Sequence, residues 1–175
     1  MKTTTLSPQS GFVPGFTPSS RLGGAERLTA QELASLAFFA GLETIDLEQI
    51  ADHTKISQFA PGEMIVSQGD PADRFYVLLA GSAAIECNLP DVRLQVDKIG
   101  PGDAVGFSWL FTPEKVHFTA RATEPVTAVF VYGTLLRDDC EHIPHLGYEL
   151  AKRAGQTMLK RLESLVALIG GERRA

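Results

Sequence analysis

Ligand chemistry in this chain is concentrated in residues 106–120, which read GFSWLFTPEKVHFTA. Ser108, Lys115 and His117 give this stretch its polar capacity, and a lysine answers a phosphate as a point charge without the fork geometry of arginine. The plainer readings are a solvated loop charge for Lys115 and a satisfied or surface histidine for His117. Phe107, Trp109, Phe111 and Phe118 make the same stretch unusually aromatic. Either these rings fill a pocket and pack a short helix on its neighbours, or they form a platform for a ring-bearing ligand or a partner side chain. No catalytic arrangement accompanies them. His53, His117, His142 and His145 share no element with an evident nucleophile or carboxylate pair, so no enzyme is expected. Cys87 and Cys140 have no CxxC or Cys/His spacing suited to zinc, so neither a metal site nor a resident cofactor is expected. Two lone cysteines read as small buried hydrophobes rather than a disulfide.

Composition narrows the partners. At 175 residues and 44% hydrophobic content the chain can bury one good core, and its net charge of −5 gives no basic footprint for nucleic acid. No apolar run approaches the roughly 20 residues of a membrane helix. The opening residues 1–20 lack the apolar stretch of a secretion signal, so a cytoplasmic protein is expected.

The elements that must position the aromatic stretch follow from periodicity. Residues 1–25 are punctuated by Ser-Pro, Val-Pro and Thr-Pro and read as a flexible arm, or as a docking peptide for a protein partner built on Phe12, Val13 and Phe16. Thr29 with Glu32 makes a capping box for a helix carrying Leu33, Leu36 and Ala37 that Gly41 should stop. A second helix over 46–53 carries Leu47 and Ile50 inward. From residue 55 the period changes to β, with stretches at 55–59, 64–67, 75–80, 83–88, 93–99, 116–122 and 126–132 split by glycine- and proline-rich turns. Short, evenly spaced strands of this kind predict a small antiparallel barrel or jelly roll, a mainly β fold with flanking helices.

After a short helical piece over 134–140, a long helix is expected from about 145 to 168, ended by Gly170 and Gly171. Its apolar seam of Ala151, Ala154, Gly155, Met158, Leu162, Leu165, Val166 and Ile169 faces away from Lys152, Arg153, Lys160, Arg161 and Glu163. The seam either packs on the barrel or joins a second copy. A homodimer through Ala151, Gly155, Met158, Leu162, Val166 and Ile169 is expected, because so long a helix extends past a small barrel. The division is thus an arm at 1–25, a helical lead-in and barrel at 26–144, the long helix of the same domain at 145–169, and a tail at 170–175, with no room for a helix-turn-helix.

This order of helices, glycine-marked strands and long final helix resembles the cyclic nucleotide-binding domain family over about 33–168. The run FFAGL at 38–42 is similar to the family's opening LFxGL, FAPGEMI at 59–65 with QGD at 68–70 to its xxGExIxxxGD turns, FYVLLAG at 75–81 to its xYxIxxG hairpin, and GPGD at 100–103 to the turn entering its phosphate-binding cassette. The resemblance implies a non-enzymatic β-roll. In the family a Gly-Glu pair opens a short helix, with an Arg ten positions after the Gly; backbone N–H groups and the Arg hold the cyclic phosphate, and the Glu accepts from the ribose hydroxyl. Counted from Gly106, Phe107 stands at the Glu position and Val116 at the Arg position. Charge-assisted hydrogen bonds contribute roughly 1.5–3 kcal/mol each. Losing both partners removes on the order of 4–6 kcal/mol, about a thousandfold in affinity, so ordinary cAMP or cGMP binding is disfavoured. Ser108 and the N-terminus of the cassette helix retain the capacity to meet an anion. Thr157, beside Met158, falls roughly where the cAMP receptor protein places hydroxyl residues that touch the base, although ordinary packing or exposure is the plainer reading.

Two functions follow from this pattern. One is a regulatory sensor that binds a small anionic, nucleotide-like effector other than cAMP or cGMP and signals through the final helix. The other is a degenerate domain that binds no small molecule and serves as a scaffold or interaction subunit.

Overall fold

The computed structural model describes residues 27–172. The expected arm at 1–25 therefore lies outside the described residues. Thr29 caps α1 (Ala30–Ala34) with the reciprocal bonds its sequence predicts: the Glu32 N–H donates to Thr29 Oγ1 at 3.2 Å and the Thr29 N–H to Glu32 Oε2 at 2.8 Å. The helix is shorter than expected and gives way to turns before Gly41. Leu36, Phe38 and Phe39 are all buried, a spread that no single helical stripe provides, and the turns bring both phenyl rings onto Phe75. Next comes α2 (Thr44–Asp52), which buries Leu47 and Ile50.

Among the described residues eight strands form two antiparallel sheets of four. One is ordered β1 (Thr54–Phe59), β8 (Val126–Tyr132), β3 (Arg74–Ala80), β6 (Ala104–Val105); the other is ordered β2 (Met64–Val66), β7 (Thr119–Ala122), β4 (Ala83–Asn88), β5 (Arg93–Ile99). The inner faces meet in one core containing Phe75, Val77, Leu79, Ile85 and Val129. This is the expected jelly roll, with two local differences. The strand anticipated over 116–122 begins only at Thr119, because Val116 bonds sideways: its N–H donates to the Asp70 carbonyl and its carbonyl accepts from the Gly69 N–H, both at 2.8 Å. The segment just after the turn at 100–103, where periodicity predicts no strand, adds β6, which pairs Val105 with Tyr76 and Ala104 with Val77.

Two helices follow β8, α3 (Gly133–His142) and α4 (Pro144–Glu172). Leu146, Leu150 and Ala154 of α4 are fully buried. Two buried carboxylates fix α2 against these helices. Asp46 meets His145 at 2.9 Å, while Asp139 meets His53 at 3.1 Å and accepts from Gln49 at 2.9 Å. The predicted stop at Gly170 and Gly171 does not occur, and α4 continues to Glu172. Gly170 has no left-handed φ; a glycine lowers helix propensity by about 1 kcal/mol but turns the chain only when it adopts that conformation.

Cys87 and Cys140 are free and half-buried. Burial, helped by Asp139 and Glu141, pushes the Cys140 thiol up to about 11, so it stays protonated near neutral pH. Among the described residues no helix is long and apolar enough to cross a membrane, and no group of His, Cys, Asp and Glu is placed to hold a metal ion.

Candidate ligand site

From β6 the chain passes through Gly106, at φ +93°, into a single 3-10 turn over Phe107–Leu110. The turn points Phe107 inward, where its ring lies 5.6 Å from Phe38 and 5.4 Å from Phe75. Trp109 faces the other way, onto Phe75 and the start of α3, and its Nε1 is buried with no hydrogen-bond partner among the described residues.

Between this turn, the inner face of β4 and β5, and α4 lies a cavity of about 420 Å³. Gly106, Phe107, Ser108, Val116 and His117 line it, so these five sequence-predicted residues come together. Three others do not line it. Lys115 is exposed and sits in a backbone bridge to Pro71. Trp109 packs behind the turn, and Thr157 turns its hydroxyl back to donate to the Arg153 carbonyl at 3.0 Å. Phe107 and Val116, which the resemblance sets at the family's Glu and Arg positions, are both buried. At the mouth, Ser108 Oγ lies 3.2 Å from His117 Nδ1 and accepts from the His117 N–H at 3.3 Å.

The one fixed charge in the lining was not expected there. Sequence periodicity placed Arg161 on the outer face of the long helix with Lys160 and Glu163, yet its side chain is only 15% exposed and enters the cavity. The guanidinium stands 5.7 Å from the centre of the Phe107 ring, donates through Nη2 to the Ala104 carbonyl at 2.6 Å, and lies 3.4 Å from Asp97 through Nε. Nε is buried and lacks a well-directed hydrogen bond. Burial pulls the Arg161 pKa below its ordinary value, opposed by the carboxylates of Asp97 and Asp103; the group remains a cation. A signal for this was present. On a helix turning 100° per residue, position 161 lies within about 20° of both Leu150 and Ala154, on the core-facing stripe.

The apolar seam of α4 divides. Ala154 is in the core and Leu165 packs partly against it, while Met158 and Leu162 border the cavity. Ala151 and Gly155 are exposed, as are Leu159, Leu162 and Val166 at 56–61%. The side chain of Ile169 lies outside the described residues.

Comparison with known proteins agrees with this architecture. The family model described as cyclic nucleotide-binding domain matches residues 56–141. The CRP-like cAMP-activated global transcriptional regulator of Mycobacterium tuberculosis is 25% identical over 138 residues, covering 78% of this chain and 62% of the regulator. The cAMP-dependent protein kinase type I-alpha regulatory subunit of Mesocricetus auratus is 31% identical over 87 residues, covering 49% of this chain and 50% of that subunit. This chain thus spans less than two thirds of the length of either. A solved protein of Geobacter metallireducens GS-15, assigned to cyclic nucleotide binding, superposes with a TM-score of 0.70 at 29% identity over 77% of this chain and 98% of that one. With the two-sheet topology, the glycine-marked turns and the family model in agreement, residues 56–141 carry a β-roll of the cyclic nucleotide-binding domain type.

Proposed function

We propose that this domain is a non-catalytic regulatory sensor in which a small anion other than cAMP or cGMP enters the cavity beneath the cassette and is read out by α4. The observation that carries the reading is Arg161. The cassette has no charge at positions 107 and 116, but α4 itself brings a guanidinium into the same space. An anion held there would contact the signalling helix directly, with no relay needed between site and output. A cavity of about 420 Å³ also weighs against the scaffold alternative, in which the aromatic cassette would be filled by its own side chains.

The reading is tested by thermal unfolding against a panel of cyclic mono- and dinucleotides, nucleoside monophosphates and organic acids. At 100 times its Kd a ligand stabilises the folded state by about 2.7 kcal/mol, roughly 5–10 °C for a chain of this size. At least one anion class is expected to give a shift of that order, and cAMP and cGMP at 1 mM less than about 1 °C. If no anion shifts the transition, the scaffold reading takes its place.

The output we propose is self-association. Leu159, Leu162 and Val166 lie at positions i, i+3 and i+7 of α4, an exposed stripe suited to pairing with the same stripe of a second copy. Light scattering should find a dimer at micromolar concentration, and Leu159→Glu with Val166→Glu should convert it to a monomer with unchanged helix content. A dimer that survives both charges would place the interface elsewhere.

A further inference from the structure

We infer that the effector is a carboxylate carried on a compact apolar body, an aromatic or alicyclic acid, and that it binds by taking Arg161 away from Asp97. The inference rests on the sensor reading above and names its ligand.

Polar groups in the cavity are few. Of the fourteen lining residues only Ser108, His117 and Arg161 offer polar side chains, and the first two already bond to each other at the mouth. A nucleotide would bring phosphate oxygens, ribose hydroxyls and a base edge into this space, and most would lose their water without gaining a partner. A carboxylate makes one demand, two acceptor oxygens facing a cation, which the planar guanidinium fork meets in bidentate fashion.

The guanidinium also has donors to give. Its hydrogen bond among the described residues is Nη2 to the Ala104 carbonyl, and Nε is buried without a well-directed bond although Asp97 stands 3.4 Å away. A ligand carboxylate of the same charge and geometry as Asp97 can therefore compete for it. Among the described residues no acidic side chain lines the cavity, and Asp97 and Asp103 act on the guanidinium from outside that lining.

The remaining walls suit the body of such an acid. Phe107 closes the inner end, and Met158 and Leu162 border the α4 side. Phe111 and Phe118 line the mouth while still 46% and 45% exposed, so an apolar ring inserted there removes hydrophobic surface from water that the protein alone leaves uncovered. Because Asp97 belongs to β5 and Arg161 to α4, exchanging one carboxylate for the other releases an anchor between barrel and helix.

Calorimetry on the full chain with 1-naphthoate, phenylacetate and cyclohexanecarboxylate, alongside the neutral 1-naphthamide, cAMP and a cyclic dinucleotide, tests the inference. At least one acid should bind with a Kd on the order of 10–100 μM. The amide should bind about 30-fold more weakly or worse than its acid, and Arg161→Leu should weaken acid binding by a similar factor. The amide comparison needs no variant and stands even if Arg161→Leu folds poorly. Tighter binding of the cyclic dinucleotide, displacing the acids, would overturn the ligand class while leaving the sensor reading in place, whereas tighter binding of cAMP would overturn both. Acids that bind equally well to Arg161→Leu, or no better than the amide, would overturn the role of Arg161. No binding by any probe at 1 mM would overturn the inference, while the sensor reading falls only if the wider anion panel is silent as well.

Discussion

Gly106→Ala is expected to destabilise the protein by about 2–5 kcal/mol, whereas Gly102→Ala, four residues earlier, should cost only about 1–2 kcal/mol. The two glycines have nearly the same backbone, φ +93° and +88°, so the penalty for a side chain in the left-handed region is shared. They differ in what surrounds them. A Cβ at Gly102 would meet nothing within 4 Å, but at Gly106 it would lie 2.4 Å from the Arg74 carbonyl oxygen, part of the β3 backbone. That oxygen cannot swing aside as a side chain can, because β3 is paired with β8 through Arg74 and Tyr132 and with β6 next to it. Relief requires moving the cassette turn, and Phe107 and Ser108 with it. Urea unfolding of the two variants measures the difference, which isolates the backbone contact from the φ penalty. Equal losses would mean that β3 yields easily and that Gly106 is there for its φ alone. If the contact matters, Gly106→Ala should also reshape the cavity wall and weaken ligand binding, while Gly102→Ala should not.

This contrast bears on what the sequence could reveal. Glycine-marked corners and short apolar strands are local signals with a local cause, so the jelly roll and the capping box at Thr29 were legible from pattern alone. What pattern cannot express depends on neighbours distant in the chain. The strand over 116–122 has the right composition, yet Val116 bonds to Gly69 and Asp70, nearly fifty residues away, and leaves the ladder. The helix expected up to Gly41 ends early because Phe38 and Phe39 both turn onto Phe75, a demand that helical spacing cannot express.

The site divides along the same line. The loss of charge at positions 107 and 116 could be counted directly. The cation that enters the cavity could not be found within the cassette, since it comes from α4 some fifty residues later. Arg161 was nonetheless in view. It occupies the stripe of Leu150 and Ala154, and a long polar side chain at a core-facing register is a sign of a buried partner. Charge type outweighed angular position in the reading that put it outside.

Trp109 links the cassette to the helices, and its replacement should have the largest effect on stability of any single truncation near the site. Trp109→Ala is expected to cost about 3–5 kcal/mol, the usual range for removing a large buried aromatic ring, here one only 1% exposed. Trp109→Phe should cost far less, about 1 kcal/mol, for a specific reason. The indole Nε1 is buried with no acceptor among the described residues, and a buried donor left unmade carries a desolvation penalty of about 1–3 kcal/mol that phenylalanine does not have. The gain offsets much of the lost ring area. If urea unfolding gives Phe and Ala the same loss, the indole N–H is satisfied after all and the shape of the whole ring is what the site requires. Position adds a second consequence. Gly133, the first residue of α3, lies so close that a Cβ there would stand 3.1 Å from the Trp109 Cβ, and α3 in turn packs on α4. Emptying this contact removes the Trp109 ring from the start of α3. Trp109→Ala should therefore also lower hydrogen-exchange protection in the first turns of α3 and α4, while β4 and β5 on the far side of the cavity keep theirs. Loss spread evenly over the barrel would instead mark Trp109 as a general core residue with no part in coupling the cassette to α3 and α4.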